Sequence, residues 1–412
     1  MWHDSGSVST THWTEPAPIY ENPRTKRRFH SLLEVCGLIK LVQKLKPRLA
    51  SIAEIILVHD LSYVKKVEVV SNSSGGYVGE EAHIAHGGYD IARLSVGSLL
   101  TAVEAVVTGI VDNAYCLNRP PGHHAVKDAG MGFCIFNNIA IAALHARTIG
   151  NDIKRVAIVD YDVHHGNGTQ QALWNDPDAL VISIHQDNNY PPNSGSIEEN
   201  GAHGNVINVP LPPGSGSGAY LYAFEQVVVP ALNQFNPDLI LVSSGFDASY
   251  YDPLGSMMLS SETFRSMSSM LVNAADRLCN GRIVFAHEGG YSESYVPYCG
   301  LAVVETLLGV RTSVVDPYLT EIHGAGYQQL QPHQKAVVDA AAALIRGDGE
   351  TTRVSKGQIA DHVDSILDNI SSADRVAYAV IEGQLAGMDL EARARVLNLL
   401  QAKYNTTAER SG

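Results

Sequence analysis

Five short apolar runs, each closing on a polar cluster, limit what this chain can fold into more than anything else in it. NAYCLN from Asn113 leads into RPPGHHA, and VAIVDYD from Val156 into VHHGNG. ALVISIH from Ala179 leads into HQDNNYPPNSG, DLILVSS from Asp238 into SSGFDASYYDPLG, and RIVFAHE from Arg282 into HEGGY. Helical patterns such as NNIAIAALHARTIG and SETFRSMSSMLVNAADRLC separate them. Strands that are apolar on both faces and alternate with helices predict an α/β fold, with a mainly parallel sheet covered by helices on both faces. Ligands of such sheets gather beyond the carboxyl ends of the strands, where all five clusters fall.

Around this frame the pattern is less regular. Residues 1–22 are loop-like and are expected to wrap the surface. RTKRRFHSLLEVCGLIKLVQKL from Arg24 reads as one helix, and SIAEIILVHDLSYVKKVEVVS as an apolar piece followed by another. A long loop is expected from Asn72 to Gly88, then a helix DIARLSVGSLLTAVEAVVTG capped by Asp90 and stopped by Gly109. Helical spacing of Ile359, Val363, Ile366, Leu367 and Ile370, and of Leu390, Ala394 and Leu397, divides the chain into a main domain over 1–345 and a helical appendage over 346–412. The appendage has one apolar face, which makes a homo-oligomer plausible.

Composition excludes several classes. A net charge of −14 argues against nucleic acid as a partner and suits neutral or cationic substrates. The five cysteines are scattered and never form a CxxC pair, so a reduced, cytoplasmic setting is expected, without disulfides or a zinc knuckle. Nowhere do 18 apolar residues run together and no basic, apolar leader opens the chain, so neither a membrane span nor export is expected.

The stretch Val156 to Gly168, VAIVDYDVHHGNG, is poor packing material and good metal-site material. On an extended backbone Asp160, Asp162 and His164 share one face while Tyr161 and Val163 take the other, so Asp162 and His164 can grip one cation. A catalytic metal needs few protein ligands and an open position. Asp247, ending another strand among small residues, is the best third ligand, and two carboxylates with one imidazole neutralise a divalent ion. Taken alone, Asp247 fits a helix cap or turn acid as well. His123 and His124 follow PPG, a rigid turn able to aim both rings into one cavity as a general base and its electrostatic partner. Asp160 and Asn167 are candidates to orient them. Tyr291 follows Gly289 and Gly290, where a phenol can swing onto a developing oxyanion.

Taken together, RPPGHHA from Arg119, GFCIFNN from Gly132, VDYDVHHGNGT from Val159, SGFDASYYDPLG from Ser244 and EGGY from Glu288 resemble the zinc-dependent histone deacetylase family. The likeness is to its class II branch and to bacterial deacetylase-like amidohydrolases, over roughly residues 20 to 310. It implies the arginase/deacetylase fold, a catalytic zinc on Asp162, His164 and Asp247, and hydrolysis of an N-acyl amide to carboxylate and free amine. By the same match His124, supported by Asn167, is the general base and acid, and His123 with Asp160 holds the neighbouring charge. Tyr291 polarises the acyl carbonyl. Phe133 and Tyr190 would wall the acyl tunnel, with Gly132 alongside and Leu254 at the rim. Tyr190 stands where relatives carry phenylalanine, adding a polar tip to that wall. Glu80 or Glu81 would supply a rim acid. A structural potassium ion is implied near Asp160, Asp162, His164, Ser183 and Ile184. Acyl-lysine, acetylpolyamine and small-molecule amides all remain open as substrates. The rival readings are a binuclear ureohydrolase, which wants a further acid two residues after Asp247, and a catalytically silent acyl-lysine binder, which predicts a lost ligand, histidine or tyrosine.

Overall fold

The computed structural model describes residues 20–149 and 152–346; the expected appendage beyond Arg346 lies outside them. In chain order the strands are β1 (Gly76–Glu80), β2 (Ala82–Ile84), β3 (Asn113–Cys116), β4 (Gly130–Met131), β5 (Val156–Asp160), β6 (Ala179–Gln186), β7 (Val206–Leu211), β8 (Leu239–Ser244) and β9 (Ile283–His287). Six of them form one sheet in the order β3-β9-β8-β5-β6-β7. Every pairing in it is parallel.

The apolar runs explain the layering. Side chains alternate across a strand, so Ala157 and Val159 of β5 enter one buried cluster while Val156 and Ile158 enter the other. On the first face lie helices Arg24–Val35, Ser261–Cys279 and Val296–Leu308, through Phe29, Met267, Leu271 and Val303. On the second lie helices Gly88–Val107 and Asn138–Ile149, through Leu99 and Ile141. Helix Pro332–Arg346 closes the first face with Val338, Ala341 and Ala342 buried.

Five points of the sequence reading give way. The Asn72–Gly88 segment is not a loop: β1 and β2 form a hairpin, and β1 pairs in parallel with β4. Its glycines hid it, yet they are what the pairing needs. A side chain at Gly79 would place its Cβ 1.7 Å from the Gly130 carbonyl oxygen. Strand β7 went unread because VINVPL carries Pro210; the strand lies at the sheet edge, where a missing N–H is tolerated. The first helix stops at Val35, before Gly37, instead of continuing through the apolar residues that follow. Helix Gly88–Val107 takes Gly87 at its N-cap, and Asp90 sits inside the first turn, 3.2 Å from Arg93. Among residues 1–22, Glu21 is buried rather than on the surface, paired with Arg119 at 2.8 Å and Lys26 at 3.1 Å.

Candidate active site

Beyond the end of β5 the chain steps through two tight turns. The Asp162 N–H donates to Asp160 Oδ1 at 3.0 Å, and the His164 N–H to Asp162 Oδ1 at 3.0 Å. Tyr161 and Val163 meanwhile point into the core. These side-chain-to-backbone turns throw Asp162 and His164 to the polar side, as the alternation requires. From the neighbouring β8, Asp247 arrives with Oδ1 accepting the Val163 N–H at 2.8 Å.

Three donor atoms then converge. His164 Nδ1 lies 3.0 Å from Asp162 Oδ1 and 3.2 Å from Asp247 Oδ2. Asp162 commits Oδ2 to the Gly289 N–H at 2.8 Å, whereas Asp247 Oδ2, buried beside His164 Nδ1, has no hydrogen-bond partner among the described residues. A buried carboxylate oxygen is seldom left without a partner, and a cation is the partner this cluster fits. Burial pulls the His164 imidazole towards neutrality, but Asp162 and Asp247 outweigh it and lift its pKa to about 10. The field that would hold a proton there is the field that would hold a divalent ion. Only glycine fits beside the cluster, since a Cβ on Gly289 would sit 2.0 Å from Asp247 Oδ2.

His123 and His124 follow β3 in a turn whose N–H groups point at Glu288. Its Oε2 accepts from Gly122 at 2.7 Å and from His123 at 3.3 Å. His123 Nδ1 is 3.0 Å from Asp160 Oδ2, and His124 Nδ1 is 2.8 Å from Asn167 Oδ1. For His123, burial is overcome by Asp162 and Asp160, which raise its pKa to about 10. For His124, burial and the neighbouring His123 and His164 hold the ring well below its ordinary value. His124 is therefore neutral, and an Nδ1–H given to Asn167 leaves Nε2 as the basic nitrogen.

A cavity of ≈ 540 Å³ descends to this floor. Its lining includes His124, His164 and Tyr291 together with Gly132, Phe133, Tyr190 and Leu254. The Phe133 ring meets Tyr291 edge to face at 5.9 Å, and Tyr190 meets His124 at 5.0 Å. At the mouth, Glu81 lines the cavity beside Tyr77 and His83 of the hairpin, while Glu80 is not part of the lining. The Tyr190 hydroxyl is buried and has no hydrogen-bond partner among the described residues. Ser183 and Ile184 lie on β6; Ser183 is in register with Asp160, and its Oγ is 2.9 Å from His185 Nδ1.

Two buried carboxylates escaped the reading of the sequence, Glu288 and Asp252. Both stood inside quoted motifs, EGGY and DPLG, and for Glu288 an acid directly following an apolar strand run was the available signal. Asp252 Oδ2 accepts the Tyr291 N–H at 2.7 Å and Oδ1 the Leu254 N–H at 2.9 Å.

Residues 19–307 match the histone deacetylase domain model. The chain is 47% identical over 327 residues to the histone deacetylase-like amidohydrolase of Pseudomonas aeruginosa, covering 77% of this chain and 86% of that protein. It is 37% identical over 285 residues to a probable deacetylase of Archaeoglobus fulgidus, covering 68% and 78%. Its structure is similar to the crystal structure of the HDA15 HD domain, with a TM-score of 0.73 and 30% identity over 84% of this chain and 94% of that one. Among the described residues, no helix is long and apolar enough to cross a membrane.

Proposed function

The chain belongs to the histone deacetylase family, and from that premise we propose that it is a zinc-dependent amidohydrolase. It would cleave an N-acyl amide of an acyl-lysine, an acetylpolyamine or a small molecule to a carboxylate and a free amine. That it is a hydrolase of amide bonds follows from the family; metal, residue roles and substrate are the proposal. The observation that carries it is the meeting, at one cavity floor, of an Asp162, His164 and Asp247 cluster, in which Asp247 Oδ2 has no hydrogen-bond partner among the described residues, with a neutral His124.

Asp162, His164 and Asp247 would hold the ion, which when bound supplies a Lewis acid beside the scissile amide. His124 Nε2 takes a proton from the attacking water and, with Nδ1–H fixed on Asn167, keeps the tautomer that can do so. His123, cationic against Asp160, stabilises the negative charge that gathers nearby. The Tyr291 hydroxyl donates to the acyl oxygen as it becomes an oxyanion. His124 then returns its proton to the departing amine. Phe133 and Tyr190 would flank the acyl chain, with Gly132 beside them and Leu254 at the rim.

The same reading calls for a structural potassium ion on oxygens of Asp160, Asp162, His164, Ser183 and Ile184. A melting temperature that rises with potassium and not with sodium supports it; equal effects remove it.

The experiment is hydrolysis of acetyl-lysine peptide, trifluoroacetyl-lysine peptide, acetylputrescine and a simple N-alkyl amide by zinc-quantified protein, with and without chelator. Chelator-sensitive amine release is expected, and the ranking names the substrate class. A fully zinc-loaded protein that cleaves none of them overturns the proposal and leaves binding without turnover.

A further inference from the structure

We infer that Asp252 is a positioning residue that locks Tyr291 to the rim residue Leu254, so that the mouth of the cavity and the group facing the acyl oxygen move as one unit. This deepens the proposed function and rests on it. Asp252 is 8% exposed, and among the described residues no lysine or arginine pairs with it. Its two oxygens are spent on backbone N–H groups from two segments that line the cavity, Leu254 at 2.9 Å and, 39 positions away in sequence, Tyr291 at 2.7 Å.

The neighbouring contacts show why a lock is needed here. Segment 288–291 is pinned as far as Gly289, through Glu288 N–H to Ser244 O at 3.2 Å, Gly289 N–H to Asp162 Oδ2 at 2.8 Å, and Phe246 N–H to Gly289 O at 3.0 Å. Gly289 and Gly290 have no side chains to pack, so the next backbone hold on Tyr291 is the carboxylate of Asp252. On the other side Leu254 is tied onward, its carbonyl accepting from Asn189 Nδ2 at 3.3 Å, next to the wall residue Tyr190.

The residue type argues the same way. Burying an unpaired carboxylate is costly, and an asparagine of the same shape would cost less. Asparagine, however, has one acceptor oxygen, and its NH₂ group would face the second N–H. Two N–H groups from two segments need two acceptors on one short side chain, which aspartate supplies. A carboxylate that only stabilised the local turn would need the Leu254 bond alone.

The test is Asp252→Asn in the full, zinc-loaded chain. Zinc per chain is expected to stay at the wild-type value and KM for the best substrate to change little. Because small misplacements of a reacting group are expensive, kcat should fall by about 10²-fold. Placed in a Tyr291→Phe background, the same change should cost less than about twofold more, since both variants act through one phenol. Hydrogen exchange at residues 290–292 should accelerate while β5 and β8 stay protected. Independent, multiplying losses in the double variant, or unchanged exchange at 290–292, would overturn the coupling while leaving Tyr291 in its role. Full turnover by Tyr291→Phe alone would instead sink the reading of Tyr291, and the coupling with it. If Asp252→Asn does not fold, Asp252→Ser, a smaller side chain that cannot span both N–H groups, answers the exchange measurement with the same two outcomes.

Discussion

The rings of His123 and His124 lie 3.9 Å apart, centroid to centroid, and their surroundings drive them to opposite charge states. One faces the carboxylate of Asp160 and the other the neutral amide of Asn167. Asp162 and Asp160 hold the first ring as a cation, while burial and the neighbouring His123 and His164 keep the second a base.

The pH profile should carry this division. Turnover needs neutral His124, and a pKa held below 6.5 keeps it neutral from pH 7 downward until that lowered value is crossed. Activity is therefore expected to be flat across neutrality, with its acid limb below the ordinary histidine range. Asn167→Asp sets a carboxylate against the ring, favours the imidazolium, and should move the acid limb to higher pH. An unmoved limb in kcat/KM would take His124 out of the role of base.

Tyr291→Phe should bind zinc as well as the wild type does and lose about 10²–10³ in kcat, the usual cost of one oxyanion donor. Single-turnover kinetics on a metal-quantified sample measure this, and full activity would remove the phenol from the mechanism.

Asp247→Ala should lose both metal and turnover. It also strips the Val163 N–H of its acceptor, so a lower melting temperature is expected alongside. Unchanged zinc content by atomic absorption would end its assignment as a ligand.

Glu288→Leu keeps the bulk of the side chain but removes the oxygen that the Gly122 and His123 N–H groups share. Turnover should fall by about tenfold or more, with metal retained, because the turn bearing both histidines loses its anchor. Wild-type kcat in this variant would show that the turn holds itself.

Tyr190→Phe removes a buried hydroxyl that has no partner. Stability should hold or rise by up to about 1 kcal/mol, and turnover of a plain acetyl amide should not change. A drop in kcat/KM for that substrate in thermally intact protein would mean that the hydroxyl meets the acyl chain after all.

How much of this was legible in the sequence follows the physics of each part. The five strands and the helices between them were visible because apolar period and strand-end polarity are local signals. The cluster of Asp162, His164 and Asp247 was visible because alternation sets two of its members and a strand-end acid the third. The β1–β2 hairpin was hidden because Gly76 and Gly79 are poor strand formers, and what rewards Gly79 is contact with a segment some fifty residues away. Glu288 and Asp252 were hidden for a related reason. An acid that accepts backbone N–H groups from a distant segment leaves no periodicity; only the fold tells which N–H it meets.

The Gly79 and Gly130 contact bears on how this chain can be recombined with its relatives. Two backbones that touch with no room for a methyl group are inherited as one piece, although about a third of the distance from the amino terminus to β5 separates their codons. A chimera that changes parent between those positions keeps the contact only when the parent supplying position 79 carries glycine there. Where it does not, the segment from Gly130 to Phe133, which lines the cavity through Gly132 and Phe133, would be displaced with the hairpin.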